Sequence, residues 1–164
     1  MMSLLTYQQW DAIADSYIPL MAVLSLIHVV HVFLSGSSFS KVVSWANVKS
    51  LFVRVLTITA CTAWVYGLMY LDKHLNIWPS LSINNQVLDY STHTALALVF
   101  STYLFCANLK RHPARAYLSL VSMGLYLLLM KYQNYHTFAD MLTTTVVVLP
   151  PMYLLLNRMS KRHC

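Results

Sequence analysis

The sequence predicts an all-α protein: a polytopic membrane bundle of five transmembrane helices preceded by an N-terminal interfacial helix. The chain is 58% hydrophobic and only 10% charged, whereas soluble domains carry about 25% charged residues. Its apolar residues fall into runs long enough to cross a bilayer, without the alternation that a transmembrane β-barrel requires. We therefore expect all 164 residues to form a single transmembrane domain.

The predicted spans follow one another with short connections. Each is close to the ~20 residues that a helix needs to cross the hydrocarbon core. Gly36 with neighbouring serines follows the first span, and Pro79 and Pro113 precede the third and fourth, where they interrupt helices. The five spans are residues 16–34, 51–71, 91–109, 115–131 and 137–156.

A short amphipathic segment precedes the first span. Its apolar residues recur at helical spacing opposite Asp11 and Asp15, which is typical of a helix lying in the membrane interface. An ordered lead-in to the first span is an equally good interpretation. The apolar residues are Trp10, Ile13, Ala14, Tyr17 and Ile18.

The basic residues predict the orientation of the bundle. Nine of the eleven Lys and Arg residues follow the first or third span or lie in the tail, and short loops rich in such residues are cytoplasmic. Only Lys73 and Lys131 remain for the other face, where the five aspartates lie. We expect the N-terminus outside and the C-terminus in the cytoplasm, in a bacterial inner membrane or a eukaryotic organelle or plasma membrane. The nine residues are Lys41, Lys49, Arg54, Lys110, Arg111, Arg115, Arg158, Lys161 and Arg162.

Two short segments carry the residue types of a reactive site. Residues 89–94 open the third span and residues 135–140 open the fifth, so one helical hairpin separates them and both are expected at the non-cytoplasmic face. His136 and Asp140 are four residues apart and would share one face of a helix. The carboxylate would then orient the imidazole, and the imidazole would be the partner that an acid inside a membrane needs.

These segments resemble two motifs of the type-2 phosphatidic acid phosphatase superfamily, which includes a sphingomyelin synthase-like branch. In that superfamily a Ser-Gly-His-Thr element begins one span, and a His-x-x-x-Asp element begins another span two crossings later. Ser91-Thr92-His93-Thr94 is similar to the first, with Thr92 in place of the glycine, and His136-Thr137-Phe138-Ala139-Asp140 is similar to the second. The resemblance covers residues 89–148.

The resemblance implies a role for each motif residue. His136 would be the nucleophile that takes the phosphoryl group, and Asp140 would activate it. His93 would protonate the departing oxygen, and Ser91 would hydrogen-bond a phosphate oxygen. Imidazole suits both tasks because its pKa lies near working pH. No metal ion or other cofactor is implied.

The cationic part of the family pattern is reduced in this chain. The phosphatases carry a Lys and Arg-Pro element before the first histidine and an Arg six residues before the second. Here Lys73 and Pro79 correspond to the former, and Met130 with Lys131 beside it takes the place of the latter. Phosphoryl transfer needs cations at the phosphate oxygens, so Lys73 and Lys131 are the candidates. The synthase-like branch also lacks the Lys and Arg-Pro element, which favours head-group transfer or lipase-C-like cleavage.

Three further polar residues have open interpretations. Asp89 would orient His93 or bind a polar head group, or it would cap the third span, since acids suit helix N-termini. His28 and His31 share one face of the first span. Interhelical hydrogen bonding is their main interpretation, and ligation of haem or a metal ion is the alternative.

The predicted function is that of an integral membrane enzyme. It would cleave or transfer the phosphorylated head group of a lipid at the outer leaflet through a phosphohistidine intermediate. One alternative is a phosphatase acting on phosphatidic acid or a polyprenyl phosphate. Others are a non-catalytic membrane protein that binds a lipid or a protein, and a haem-bearing electron carrier. The expected partners are a lipid substrate and the bilayer, and no nucleic acid.

Overall fold

The computed structural model describes residues 7–36, 45–83 and 86–163. Over these ranges the chain forms five α-helices and one two-stranded antiparallel hairpin, in which Ser82 pairs with Val87. The helices are α1 (Tyr7–Gly36), α2 (Trp45–Leu75), α3 (Thr92–Asn108), α4 (Pro113–Tyr132) and α5 (Phe138–His163), and the strands are β1 (Ser82–Ile83) and β2 (Gln86–Val87).

Helix α3 lies at the centre of the bundle. It contacts each of the other four helices, and most of its side chains are buried. Ala95 and Ala97 are fully buried, and small residues of this kind allow neighbouring helices to approach closely. The outer helices instead expose many Leu and Val side chains, as expected where a surface faces lipid.

Four of the helices are long and apolar enough to cross a membrane. These candidate spans are Gln8–Ser35, Asn47–Leu75, Pro113–Tyr132 and Phe138–Leu156. The chain is therefore an integral membrane protein. Helix α3 has 17 residues and a length of ~26 Å, slightly less than the ~30 Å hydrocarbon core. A count of five crossings is thus not confirmed by helix length alone.

The separate interfacial helix predicted at the N-terminus is not confirmed. Residues 7–36 form the single continuous helix α1. The apolar face that was expected to lie on the membrane packs against the bundle: Ala14 is buried, and the Tyr17 hydroxyl lies 3.2 Å from Ser101 Oγ and 3.3 Å from Ser122 Oγ. Helical periodicity identifies an apolar face but does not say whether lipid or protein covers it.

Two aromatic residues fix the connection between α2 and α3. The Trp78 backbone N–H donates to Asp72 Oδ1 at 2.7 Å, and its indole N–H donates to Thr143 Oγ1 at 3.2 Å. The Tyr90 hydroxyl donates to the Val65 carbonyl at 3.1 Å, and the Trp78 and Tyr90 rings lie 4.8 Å apart. Both side chains are buried, so the residues just before α3 are held against α2 and α5.

The two ends of the bundle differ in charge. We call the end that carries Asp89, His93, His136 and Asp140 the histidine end. The opposite end, where Arg54 and Arg111 lie beside α1, is the arginine end. The five aspartates of the sequence lie at or toward the histidine end: two in the N-terminal third of α1, one in the first turn of α5, one in the last turn of α2 and one just before α3.

Candidate functional site

The two motif histidines come together at the histidine end. Helices α3 and α5 pack side by side, and the centroids of the His93 and His136 rings lie 6.3 Å apart. His93 belongs to the first turn of α3 and is exposed, whereas His136 precedes α5 and its side chain is 11% exposed. One imidazole is thus held in the protein while the other faces outward beside it.

Ser91 positions His93 by starting helix α3. Its Oγ accepts the Thr94 backbone N–H at 3.2 Å and donates to Thr94 Oγ1 at 2.7 Å, which satisfies one of the free donors of a helix N-terminus. The Ser91 backbone N–H donates to Thr144 Oγ1 at 3.1 Å and ties the cap to α5. Ser91 is 0% exposed. A contact between its hydroxyl and a phosphate oxygen would require it to leave this cap.

A left-handed residue directs the chain from α4 toward His136. Asn134 has a φ of 57°, a conformation that Asn tolerates better than most residues. The Asn134 N–H donates to the Lys131 carbonyl at 3.1 Å, and the Tyr135 N–H donates to the Met130 carbonyl at 3.1 Å. These bonds close α4 in the manner of a Schellman motif. The chain therefore reverses within a few residues and places His136 beside α3.

Asp140 is the buried anchor of the connection that carries His136. It is 4% exposed. Its Oδ2 accepts the Thr137 N–H and the Thr137 hydroxyl, each at 2.8 Å, while Thr137 Oγ1 accepts the Asp140 N–H at 3.2 Å. This reciprocal pair is a capping box at the start of α5. Asp140 Oδ1 accepts the Asp89 N–H at 2.9 Å, so one carboxylate joins both motif segments.

Asp89 is the carboxylate that pairs with His136. Its Oδ2 lies 3.9 Å from His136 Nδ1, an electrostatic contact longer than a hydrogen bond. The prediction of a His136–Asp140 pair assumed that both residues lie on one helix. That assumption is wrong, because α5 begins at Phe138 and His136 precedes it. The backbone N–H groups of Asp89 and Thr137 donate to the Asp140 carboxylate instead.

The surroundings of His136 favour the neutral imidazole. Burial lowers its pKa below the usual 6.5, and the charges of Asp89 and Asp140 oppose that effect without overcoming it. Burial acts in this direction because it disfavours the charged form. A neutral ring with Nδ1 toward Asp89 leaves Nε2 directed away from that carboxylate, where its lone pair is available for attack.

Helix α1 also reaches the site. The Tyr135 hydroxyl donates to Asp11, and the Tyr135 ring lies 6.5 Å from that of His93. The Trp10 and Tyr132 rings meet edge to face at 6.4 Å. The N-terminal segment is therefore joined to the residues on both sides of the α4–α5 turn.

The two predicted phosphate-binding lysines lie in the last turns of α2 and α4. Lys73 is exposed, and its neighbour Asp72 is buried. Lys131 is half-buried, and its Nζ lies 5.7 Å from the centroid of the Phe138 ring. Both helices end at the histidine end, so both cations are at the same end of the bundle as the paired imidazoles.

Sequence reasoning missed Gln133. This residue caps the C-terminus of α4 and is 5% exposed. Neither its Nε2 nor its Oε1 has a hydrogen-bond partner within residues 7–36, 45–83 and 86–163. A buried amide without partners is costly, so its place three residues before His136 makes it a candidate ligand for a polar group. The only feature of the sequence that could have identified Gln133 is that it is a polar residue next to the 135–140 motif.

His28, from the other histidine pair, makes a contact between two helices. His28 Nδ1 lies 3.1 Å from the Tyr103 hydroxyl, so the predicted interhelical hydrogen bond is present. Where the structure describes the chain, no group of three or more His, Cys, Asp or Glu side chains is placed to hold a metal ion.

The chain was compared with protein-family models, with curated proteins and with solved structures, and none of them matches it. The site must therefore be interpreted from its own geometry.

Proposed function

We propose that this integral membrane protein is an enzyme that cleaves or transfers the phosphorylated head group of a lipid through a phosphohistidine intermediate. The observation that carries the proposal is the 6.3 Å separation of the His93 and His136 rings. A tetrahedral phosphoryl group fits between two imidazoles at such a distance, with one ring able to attack phosphorus and the other able to reach the leaving oxygen.

The reaction has two balanced steps. His136 Nε2 attacks phosphorus, the bond from phosphorus to the lipid oxygen breaks, and His93 supplies the proton that the departing alcohol needs. Water or an acceptor alcohol then attacks the phosphoryl group, His93 takes its proton, and the bond between phosphorus and Nε2 breaks. Neutral His136 is ready for the first step because burial lowers its pKa, and proton transfer by a positioned imidazole is worth about 10²–10⁴-fold in rate.

The two carboxylates divide the tasks that the family motif gives to one. Asp89, 3.9 Å from His136 Nδ1, would hold the ring orientation and stabilise the cation that forms on attack. Asp140 would act as a positioning residue, since its oxygens accept the backbone N–H groups of Asp89 and Thr137. In this division the exposed carboxylate of Asp89 lies near the nucleophile, and the buried carboxylate of Asp140 binds backbone N–H groups.

Cationic stabilisation would come from Lys73, Lys131 and the N-terminus of α3. That helix has no acidic residue in its first turn, so its positive end is not neutralised by its own side chains. A head group that carries its own positive charge would need fewer protein cations than a phosphate monoester. The small number of lysines thus favours head-group transfer or cleavage over a phosphatase.

The proposed orientation places this chemistry at the non-cytoplasmic surface, with the N-terminus outside and the C-terminus in the cytoplasm. In that arrangement all five helices cross the membrane, and short α3 is enclosed by the others. The charge asymmetry supports it, because the aspartates lie toward the histidine end and most Arg and Lys residues lie toward the arginine end. The substrate would enter from the outer leaflet.

A non-catalytic lipid- or protein-binding role is the second candidate. Its support is Ser91, which the resemblance assigns to a phosphate oxygen but whose hydroxyl caps α3 at 0% exposure. A protein that kept the motif for folding alone would bury this residue in the same way. A phosphatase acting on phosphatidic acid or a polyprenyl phosphate remains the third.

One set of assays separates these functions. The protein is reconstituted in liposomes with phosphatidylcholine or phosphatidic acid, and diacylglycerol, phosphocholine and free phosphate are measured. His136→Ala should abolish turnover, His93→Ala should reduce it by about 10²–10⁴-fold, and Lys73→Ala should mainly raise KM. His74→Ala, which changes an exposed histidine in the last turn of α2, is the matched control. Wild-type turnover by His136→Ala would refute the mechanism.

A further inference from the structure

We infer that the arginine end of the bundle holds a second site, which binds an anionic diacyl phospholipid of the cytoplasmic leaflet. The site combines a polar cavity between α1 and α2 with an apolar groove between α1, α3 and α4. It lies at the opposite end from the histidines and stands whether or not they catalyse.

The polar cavity gathers positive charge without a matching carboxylate. Its volume is about 310 Å³, and its lining includes Arg54 from α2, Arg111 from the α3–α4 connection, and His31 from α1. The sequence has no Glu, and its five Asp residues lie toward the histidine end. Two arginines that share one cavity repel each other unless an anion lies between them. The charges therefore select an anionic ligand.

Polar donors in the same cavity lack partners or are held in place. Asn47 lines it, and Asn47 Nδ2 is buried without a hydrogen-bond partner in the described ranges of the chain. Arg54 Nε donates to Ser50 Oγ at 3.5 Å. This neutral partner orients Arg54 but leaves its charge uncompensated. A phosphate oxygen would satisfy both Asn47 and the guanidinium groups.

The apolar groove identifies the ligand as a lipid instead of a free anion. Its volume is about 670 Å³, and it is lined by Leu24 and Leu118 among other apolar side chains. Both leucines are largely exposed, so an acyl chain can enter from the bilayer. His31 lines the groove as well as the polar cavity, and Arg115 lines the groove too. A head group in the cavity therefore lies next to a place for its chain.

The expected location of this end agrees with the ligand. The cytoplasmic leaflet carries the anionic lipids, and each Lys or Arg near its surface contributes about 1 kcal/mol of attraction. Non-specific attraction of that kind would not distinguish Arg54 and Arg111 from other basic residues. Binding at a specific site would instead depend on Arg54, Arg111 and the apolar groove, and this difference can be tested.

The test is native mass spectrometry of the purified full-length protein with added lipid. The probes are phosphatidylglycerol and phosphatidylcholine with identical acyl chains, and glycerol 3-phosphate as a head group without chains. We expect wild-type protein to retain phosphatidylglycerol in preference to phosphatidylcholine and not to retain glycerol 3-phosphate. Arg54→Gln and Arg111→Gln should each weaken phosphatidylglycerol binding by about tenfold, the effect of losing one charge-assisted contact.

Three variants serve as controls. Arg158→Gln removes an exposed arginine of α5 and should leave binding unchanged. Leu24→Trp fills the groove and should weaken retention while both arginines remain. Arg111 is exposed and lies outside the helices, so Arg111→Gln tests the site even if Arg54→Gln does not fold. Equal retention of the two phospholipids, an equal loss in Arg158→Gln, or tight binding of glycerol 3-phosphate would overturn the proposal.

Discussion

His136 depends on residues from both motif segments, 89–94 and 135–140. Asp89 contacts its ring, Asp140 holds the backbone on either side of the site, and His93 stands opposite. The sequence predicted that these four polar residues, each at the mouth of an apolar run, would lie close together, and the structure places them at one end of the bundle. It could not identify the carboxylate that meets the imidazole, since Asp89 and His136 are far apart along the chain and only the packing of α3 against α5 joins them.

The pH dependence of activity should follow the neutral form of His136. Burial lowers the pKa of this residue below 6.5, so the acidic limb of kcat/KM that reports its protonation should be centred below pH 6.5. The profile of kcat/KM against pH reports the free enzyme. An acidic limb centred above 6.5 would contradict the burial of a neutral ring.

The stability of the folded protein should depend on pH in the same direction as the activity does. The folded protein holds the proton on His136 less readily than the unfolded chain does, so stability from the neutral ring is fully present above pH 6.5 and is lost as pH falls below it.

Asp89→Asn should lower the pKa of His136 still further. The charge of Asp89 opposes the effect of burial, and the amide removes that charge while keeping the size of the side chain. NMR titration of ring-labelled histidines measures the shift without any substrate. Asp15→Asn changes an exposed aspartate of α1 and should leave the pKa of His136 unchanged. An unchanged or raised value in Asp89→Asn would show that the two side chains do not interact.

The connection between α4 and α5 is the element that makes the site. Apolar runs were sufficient to predict helices near residues 115–131 and 137–156 because lipid exposure imposes continuous hydrophobicity on them. They did not predict that α1 is one helix, since an apolar face is compatible with either lipid or protein. They also did not predict how α4 ends, because the left-handed Asn134 is one residue whose conformation depends on the turn around it.

Asn134→Val should displace His136 and destabilise the protein. A β-branched residue at a φ of 57° is strained, by about 1–2 kcal/mol, whereas Asn tolerates the left-handed conformation better than most residues. Asn134→Gly adopts the same backbone without that cost and is the matched variant. Thermal unfolding in detergent should separate the two, and turnover should fall in Asn134→Val alone. Equal melting temperatures would exclude a positioning role for this turn.

At the scale of the whole molecule, the two ends of the bundle differ in charge: the aspartates lie toward the histidine end and most Lys and Arg residues lie toward the arginine end. The sequence predicted a membrane bundle because composition alone distinguishes it from a soluble domain, and the four long apolar helices agree. The number of crossings is harder to predict from helix length. Helix α3 is surrounded by the other helices, so it can be shorter than a helix that faces lipid. Orientation stays a prediction from the positive charges near the arginine end.

Accessibility of single cysteines tests this orientation. In a variant with Cys61, Cys106 and Cys164 replaced by Ala, Val87→Cys introduces a thiol at a position that is 68% exposed near the histidine end. Lys110→Cys introduces one at the arginine end. A membrane-impermeant maleimide should label Val87→Cys in intact cells and Lys110→Cys only after permeabilisation. The reverse pattern would place the histidines in the cytoplasm.

The most direct measurement concerns the bond between His136 and phosphorus. The reconstituted protein is mixed with phosphatidylcholine or phosphatidic acid labelled with 32P, quenched in alkali to preserve phosphoramidates, and digested for peptide mapping. The account predicts label on the peptide that contains His136, released diacylglycerol in equal amount, and no label in His136→Ala. Turnover by the wild-type protein with the label absent from His136, or present on another residue, would contradict it.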